Sequence, residues 1–182
     1  FSCIKQDKSF PYIYGAMNMG IELSTNEEWI LFWGIDDRPY SNEAFFNLIK
    51  LMQKSNIGKN KKNNLIICQA RYFDLNKNKF KRGSFFAKPN NEMIFLKSSE
   101  FQNKLFWGEC PPHQSTLFKI SSQDFKYSSK YYLAADLDIF VKLSLIKNLN
   151  ILTLNHKLVK IGHGGVSNKK NLLRFKEVYR IY

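Results

Sequence analysis

Apolar positions along this chain follow two spacings, and the alternation between them lays out the expected elements. From Gly15 to Ser24 the residues Ala16, Met17, Met19, Ile21 and Leu23 share a segment with Gly15 and Gly20, which predicts a short helix packed closely through its small residues. Trp29 to Ile35 is instead a continuous apolar run of strand length, the pattern of a strand covered on both faces in a parallel or mixed sheet. It stops abruptly at Asp36-Asp37-Arg38-Pro39. Ser41 then offers a helix cap, and Ala44, Phe45, Leu48, Ile49 and Met52 fall three and four apart, predicting a helix from Glu43 to Met52.

Leu65 to Phe73 predicts a second apolar strand, and Phe80 to Ala87 and Met93 to Leu96 predict two more around the turn residues Lys88-Pro89-Asn90-Asn91. Strands in succession, with no helix between them, imply antiparallel pairing in this part of the chain. Ser115 to Ile120 reads as a further strand. Tyr131 to Ile146 reads as a long helix that buries Leu133, Leu137, Phe140, Val141 and Leu145. Two short strands, Ile151 to Leu154 and Leu158 to Ile161, lead to His163-Gly164-Gly165, and the tail from about 168 to 182 predicts a basic helix. With no internal repeat and no dividing linker, the expectation is one α/β domain, a sheet layered with helices.

Composition narrows the class. The chain has 182 residues, is 44% hydrophobic and carries a formal charge of +13, so it can bury a substantial core and calls for an anionic partner: nucleic acid, an acidic membrane surface or a phosphorylated small molecule. Much of the excess charge lies in Asn/Lys-rich stretches, Lys59 to Asn64 and Asn76 to Lys79, which read as solvated loops. No run approaches the roughly 18 apolar residues of a membrane span, and Phe1 to Lys8 lacks the pattern of a secretion signal. Three widely spaced cysteines, Cys3, Cys68 and Cys110, suit a reducing cytoplasm better than a disulfide framework or a zinc ribbon.

Candidate chemistry lies in four places. Asp36 and Asp37 stand where an apolar strand ends, the position at which open α/β sheets bind ligands, and their hard oxygens suit Mg²⁺ or Mn²⁺; the same pair also reads as a turn that starts and caps the next helix. Asp136 lies three residues from Leu133 and four from Phe140, so a helix over this stretch sets its carboxylate among apolar neighbours, raising its proton affinity for general-base work, whereas Asp138 points elsewhere. A capping or exposed aspartate is the plainer alternative. His113 and Gln114 follow Pro111-Pro112 and offer hydrogen bonds to hydroxyl groups, though a lone histidine is often structural. His163 beside Gly164-Gly165 is either a metal or phosphate ligand or part of a plain turn.

In order along the chain, these segments resemble the family-two glycosyltransferases of the GT-A fold, the type found in bacterial polysaccharide and cell-envelope assembly. Tyr14-Gly15-Ala16-Met17-Asn18-Met19-Gly20-Ile21 is similar to that family's "YDAMNKGI" segment, with Gly15 where the motif has aspartate, and Gly34-Ile35-Asp36-Asp37 to the strand end carrying the "SDD" form of its DXD motif. His113-Gln114 is similar to its "HQ" strand, Tyr132 to Asp138 to its "aaDyD" acceptor helix, and Gly164-Gly165-Val166-Ser167 to its closing "GGvS". The family's opening "SVIIPxyN" strand and "DGSTDGT" loop have no counterpart here. The resemblance therefore implies a GT-A type, Rossmann-like mixed sheet flanked by helices, with residues 1–182 forming a single partial glycosyltransferase domain whose N-terminal nucleotide-binding strands are truncated.

By this resemblance the chain is a hexosyltransferase-like, inverting enzyme that uses a divalent cation, Mn²⁺ or Mg²⁺. Asp37 and His163 would hold the metal, and Asp136 would be the catalytic base. Asp36, Asn18, His113 and Gln114 would contact substrate. The implied partners are a nucleotide-sugar donor and a saccharide or lipid-linked acceptor, with no nucleic acid expected; the basic tail separately suggests loose peripheral attachment to anionic lipid at the inner face of the membrane. A nucleic-acid-binding protein, a metal-dependent nuclease, and a noncatalytic remnant of the fold are the competing expectations.

Overall fold

Two long parallel strands run through the middle of the molecule, and the shorter elements are arranged around them. The computed structural model describes residues 12–24, 28–57, 64–74, 77, 79–84, 86, 92–120, 125–162 and 171–182. In chain order the elements are α1 (Ile13–Leu23), β1 (Arg38–Pro39), α2 (Ala44–Ser55), β2 (Asn64–Asp74), β3 (Lys79–Ser84), β4 (Met93–Leu96), α3 (Ser98–Phe106), a 3-10 turn at His113–Ser115, β5 (Thr116–Lys119), α4 (Ala135–Ser144), β6 (Asn150–Gly162) and α5 (Asn171–Ile181).

β2 and β6 pair in parallel from Asn64 opposite Asn150 to Phe73 opposite Gly162. The outer edge of β2 carries β5 along Asn64–Ile67 and β3 along Ala70–Asp74, both antiparallel. The outer edge of β6 carries β4 along Ile151–Leu154 and β1 at Val159 and Lys160, again antiparallel. The result is a mixed sheet flanked by helices, and its two central strands end at the same edge.

Alternation along the central strands divides the core in two. Leu65, Ile67, Ile151 and Phe118 face the layer that holds Tyr14 of α1, Phe101 of α3, Phe140 of α4 and Val178 of α5, while Ile66, Cys68, Leu152 and Leu154 face Ala44 and Leu48 of α2. Complete burial of such a side chain is worth about 1.5–3 kcal/mol, so the double-sided cover is what makes a near-continuous apolar strand stable. No helix among the described residues is long and apolar enough to cross a membrane.

Several expectations change in detail. The run from Trp29 does send Trp29 and Leu31 toward α2 and Ile30 and Phe32 toward the other layer, as a doubly covered strand must. Yet it pairs with the sheet at a single bridge, Ile30 with Phe118, and forms no ladder. The two short strands after Ile151 are one strand, because the polar Asn155-His156-Lys157 is absorbed as register shifts against β2 rather than as a turn. Asn155 accepts a hydrogen bond from Gln69 and the His156 ring holds the Ala44 carbonyl at 2.8 Å. Ser41 meets α2 through its carbonyl, which accepts the Ala44 N–H, and not through a side-chain cap. Helix α3 was not expected: Phe101 and Leu105 are its only buried positions, and Glu100 reaches back to the Lys97 N–H at 2.9 Å.

Candidate active site

The apolar run ends in a tight acidic turn. The Asp37 N–H donates to the Gly34 carbonyl at 3.1 Å, and the Gly34 N–H donates to Asp37 Oδ2 at 2.7 Å. Arg38 folds back, its Nη1 donating to the carbonyls of Ile35 and Asp37, each at 2.7 Å. Asp37 is buried and Asp36 exposed. Burial pushes the Asp37 carboxyl above the usual carboxylate range and the charge of Asp36 adds to this, against the opposing pull of the Gly34 and Gly162 N–H groups and of Arg38.

Asp36 crowds two glycines, Gly34 and Gly162, and Asp37 crowds the first of them. A Cβ on Gly34 would lie 2.9 Å from Asp36 Oδ1 and 3.3 Å from Asp37 Oδ2, and one on Gly162 would lie 2.8 Å from both Cβ and Cγ of Asp36. A side chain at Gly162 would displace the turn, whereas one at Gly34 would push the exposed Asp36 carboxylate aside. Gly162 pairs with Phe73 at the C-terminal end of β6, so this contact seats the acidic turn against the carboxyl ends of the parallel strands, where α/β sheets receive ligands.

Helix α4 starts at Ala135, four residues later than the long helix expected from Tyr131, which puts Asp136 in the first turn and not in the helix interior. Its Oδ1 accepts the Leu137 N–H at 2.9 Å. The residue is half-buried, and burial is the main cause raising its carboxyl, with the Leu137 N–H and Arg174 opposing and Glu177 adding to the rise. Asp138 is turned away and pairs with Lys142 at 2.6 Å, so the two acids of this motif separate as the helical spacing requires.

What joins the two acidic places is Tyr72. Its phenol is raised first by burial, then by the charges of Asp136, Cys110 and, more weakly, Asp37, with Arg174 opposing. Tyr72 thus lies within electrostatic reach of both carboxylates, from a position on β2 opposite Ile161. Tyr14, Cys110 and Tyr127 also feel Asp136, behind the larger effect of their own burial.

The segment leading into Asp136 is fixed from α5 and α1. Buried Glu177 accepts the N–H groups of Tyr132, Leu133 and Ala134 at 2.9, 2.8 and 2.9 Å, and the Tyr14 hydroxyl donates to the Leu133 carbonyl at 3.2 Å. Sequence reading missed Tyr72, Tyr14, Arg174 and Glu177, because a tyrosine in a strand or an acid in a basic helix looks ordinary until the chain brings them to one point. Tyr14 does fall within the YGAMNMGI segment, where attention went to Asn18.

Two residues expected to contact substrate spend their polar atoms inside the fold. Asn18 is buried and both ends of its amide are committed to the main chain of Tyr127: Nδ2 donates to the carbonyl at 3.0 Å, and Oδ1 accepts the N–H at 2.8 Å. It clamps α1 to the segment before α4. His113 is buried among Phe32, Phe118 and Phe140, with Nε2 bonded to the Tyr127 hydroxyl, and burial lowers its pKa to about 4. It is a neutral core histidine. Gln114 is half-buried, and its carbonyl accepts the Trp33 indole N–H at 3.0 Å, tying this turn to the run that ends at Asp36. His163 lies outside the described residues. Among those described, no three His, Cys, Asp or Glu side chains converge as a metal cage.

No protein-family model matches the chain, and no curated protein matches it either.

The state of His113 has a measurable consequence. Its pKa in the fold, about 4, lies below the ordinary 6.5, so under acid conditions the unfolded chain binds a proton that the folded chain refuses. Stability should be full above pH 6.5 and fall as the pH drops toward 4, by about 3 kcal/mol at most. Denaturant midpoints measured across that window should decline less in His113→Phe; an equal decline would assign the acid sensitivity to other groups.

Proposed function

We propose that this chain forms part of an enzyme that transfers a sugar from a nucleotide-diphosphate donor to a hydroxyl acceptor, with inversion, in polysaccharide or glycoconjugate synthesis. The observation that supports the reading is the acidic turn packed on Gly162 at the carboxyl end of β6, with Tyr72, opposite Ile161 on β2, feeling the charge of Asp136 and, more weakly, of Asp37. A GT-A type of sheet belongs to the same proposal.

The acidic turn fits a hard divalent cation. Asp36 and Asp37 crowd one glycine, the charge of Asp36 disfavouring that of Asp37, and two carboxylates completed by substrate phosphates are the set that Mg²⁺ or Mn²⁺ accepts. His163 is the further ligand that the motif suggests. A cation bound there would offset negative charge on the departing diphosphate.

Asp136 supplies the proton acceptor. As the acceptor oxygen forms its bond to the anomeric carbon, its proton passes to the Asp136 carboxylate, and the carbon–oxygen bond to the diphosphate breaks with both electrons leaving on the diphosphate. Attack opposite the leaving group inverts the anomeric carbon. The raised proton affinity of Asp136 favours that transfer near neutral pH, and Arg174 keeps the carboxylate from being neutral too early. Tyr72 directs hydroxyl groups toward the site.

The test is donor binding. Titration of nucleotide-diphosphate sugars should show Mn²⁺-dependent binding to the wild type and a loss of at least about tenfold in Asp37→Ala, with the metal dependence gone. Equal affinity in the two proteins would remove the metal role. Salt-sensitive binding to DNA or RNA, without response to nucleotide sugars, would favour the nucleic-acid alternative.

A further inference from the structure

Helix α5 has two apolar faces. The inward one, through Val178 and Ile181, packs on the core beneath Glu177. The outward one has no counterpart in the described structure. Leu172, Phe175, Tyr179 and Tyr182 fall within an arc of roughly 80° at the angular step of an α-helix, and Phe175 and Tyr179 are 70% and 85% exposed. At one edge of this arc Tyr182 contacts Phe106 at the end of α3, and Phe106 contacts Trp107; these two are 69% and 79% exposed. On its other edge lie the exposed Lys176 and Arg180.

Single exposed apolar side chains are ordinary, but six large ones joined in a strip and bordered by cations are not. We infer that this strip docks the protein on an anionic bilayer surface, with the aromatic side chains at the headgroup level and Lys176 and Arg180 against lipid phosphates. Charge decides among the occupants. A second copy of the chain brings the same +13 and is repelled, whereas an anionic lipid surface attracts that charge and accepts aromatic rings at its boundary. The basic patch and the apolar strip are each weak anchors, and together they supply the two signals that stable attachment needs. This inference does not depend on sugar transfer, and vesicle binding can be measured on protein that has no activity.

The experiment is co-sedimentation with vesicles of phosphatidylcholine alone and of phosphatidylcholine mixed with phosphatidylglycerol. The wild type should pellet with the anionic vesicles, retaining part of this binding at moderate salt. Trp107→Ser/Phe175→Ser/Tyr179→Ser should weaken the partition by roughly thirtyfold, and Lys176→Gln/Arg180→Gln by about tenfold or more. Phe46→Ser/Ile49→Ser, which removes exposed apolar side chains from α2 on the other face of the sheet, should bind as the wild type does. Tyr179→Ser alone, at the most exposed of these positions, gives a smaller loss and guards against misfolding of the triple variant. Binding that survives the triple substitution, or that disappears equally in the α2 control, would show attraction by net charge alone and overturn the inference, as would wild type left in the supernatant.

Discussion

Asp136→Asn is expected to lower the transfer rate by about two to four orders of magnitude while leaving nucleotide-sugar binding unchanged. The substitution keeps the shape of the side chain and an oxygen for the Leu137 N–H, and removes only the capacity to take a proton. The loss should therefore fall on kcat and not on donor affinity. In the wild type the acidic limb of the rate profile should lie above the ordinary carboxylate range, since burial raises this group, and the limb should vanish in the variant. Stability should move the other way. A carboxyl whose folded pKa is raised costs the fold stability as the pH climbs from the unfolded value through the folded one, because ionisation is easier in the unfolded chain. Asparagine does not ionise, so at neutral pH the variant should be at least as stable as the wild type. An inactive variant that also melts earlier would indicate a structural role instead.

Glu177→Ala carries the largest expected cost in stability. One buried carboxylate satisfies three consecutive N–H groups ahead of α4, and its removal leaves them without that acceptor in surroundings that exclude water. At the usual cost of unmet buried donors, about 3–5 kcal/mol should be lost. That is a large share of the roughly 5–15 kcal/mol by which domains are stable. Glu177→Gln keeps one acceptor oxygen and should lose less. Because the same bonds aim the segment that presents Asp136, the glutamine variant should also lower kcat more than it raises KM for the donor. Denaturant midpoints close to the wild type for Glu177→Ala would mean that the loop holds its course without this anchor.

The apolar and polar pattern made much of this architecture legible. Runs such as Leu65 to Phe73 announce a strand covered on both sides, and the spacing of Ala44, Leu48 and Met52 announces α2, because burial alone dictates these patterns. What escaped was decided by partners distant in sequence. The tetrad Tyr131 to Ala134 looks helical by itself, but Glu177 takes the N–H groups of its last three residues and the helix starts later. Asn155-His156-Lys157 looks like a turn, but Gln69 and α2 hold it inside a continuous strand. At the site, the acidic turn and Asp136 stand out in the sequence as charge beside apolar residues. The roles of Asn18 and His113 do not, since a side chain that hydrogen-bonds a ligand and one that hydrogen-bonds Tyr127 are the same residue on paper.

The parallel pairing of β2 with β6 also bears on how the chain is made. Asn64 and Asn150, which share a side-chain hydrogen bond, are 86 positions apart. A ribosome therefore releases the first of these strands well before its neighbour exists, and the hydrophobic ladder is left with an open side during that interval. Assembly of the centre is a late event that closes a long loop, a pattern associated with slow folding and with capture of the waiting strand by other chains. Yield of folded protein should depend on how fast the last third of the polypeptide follows the first.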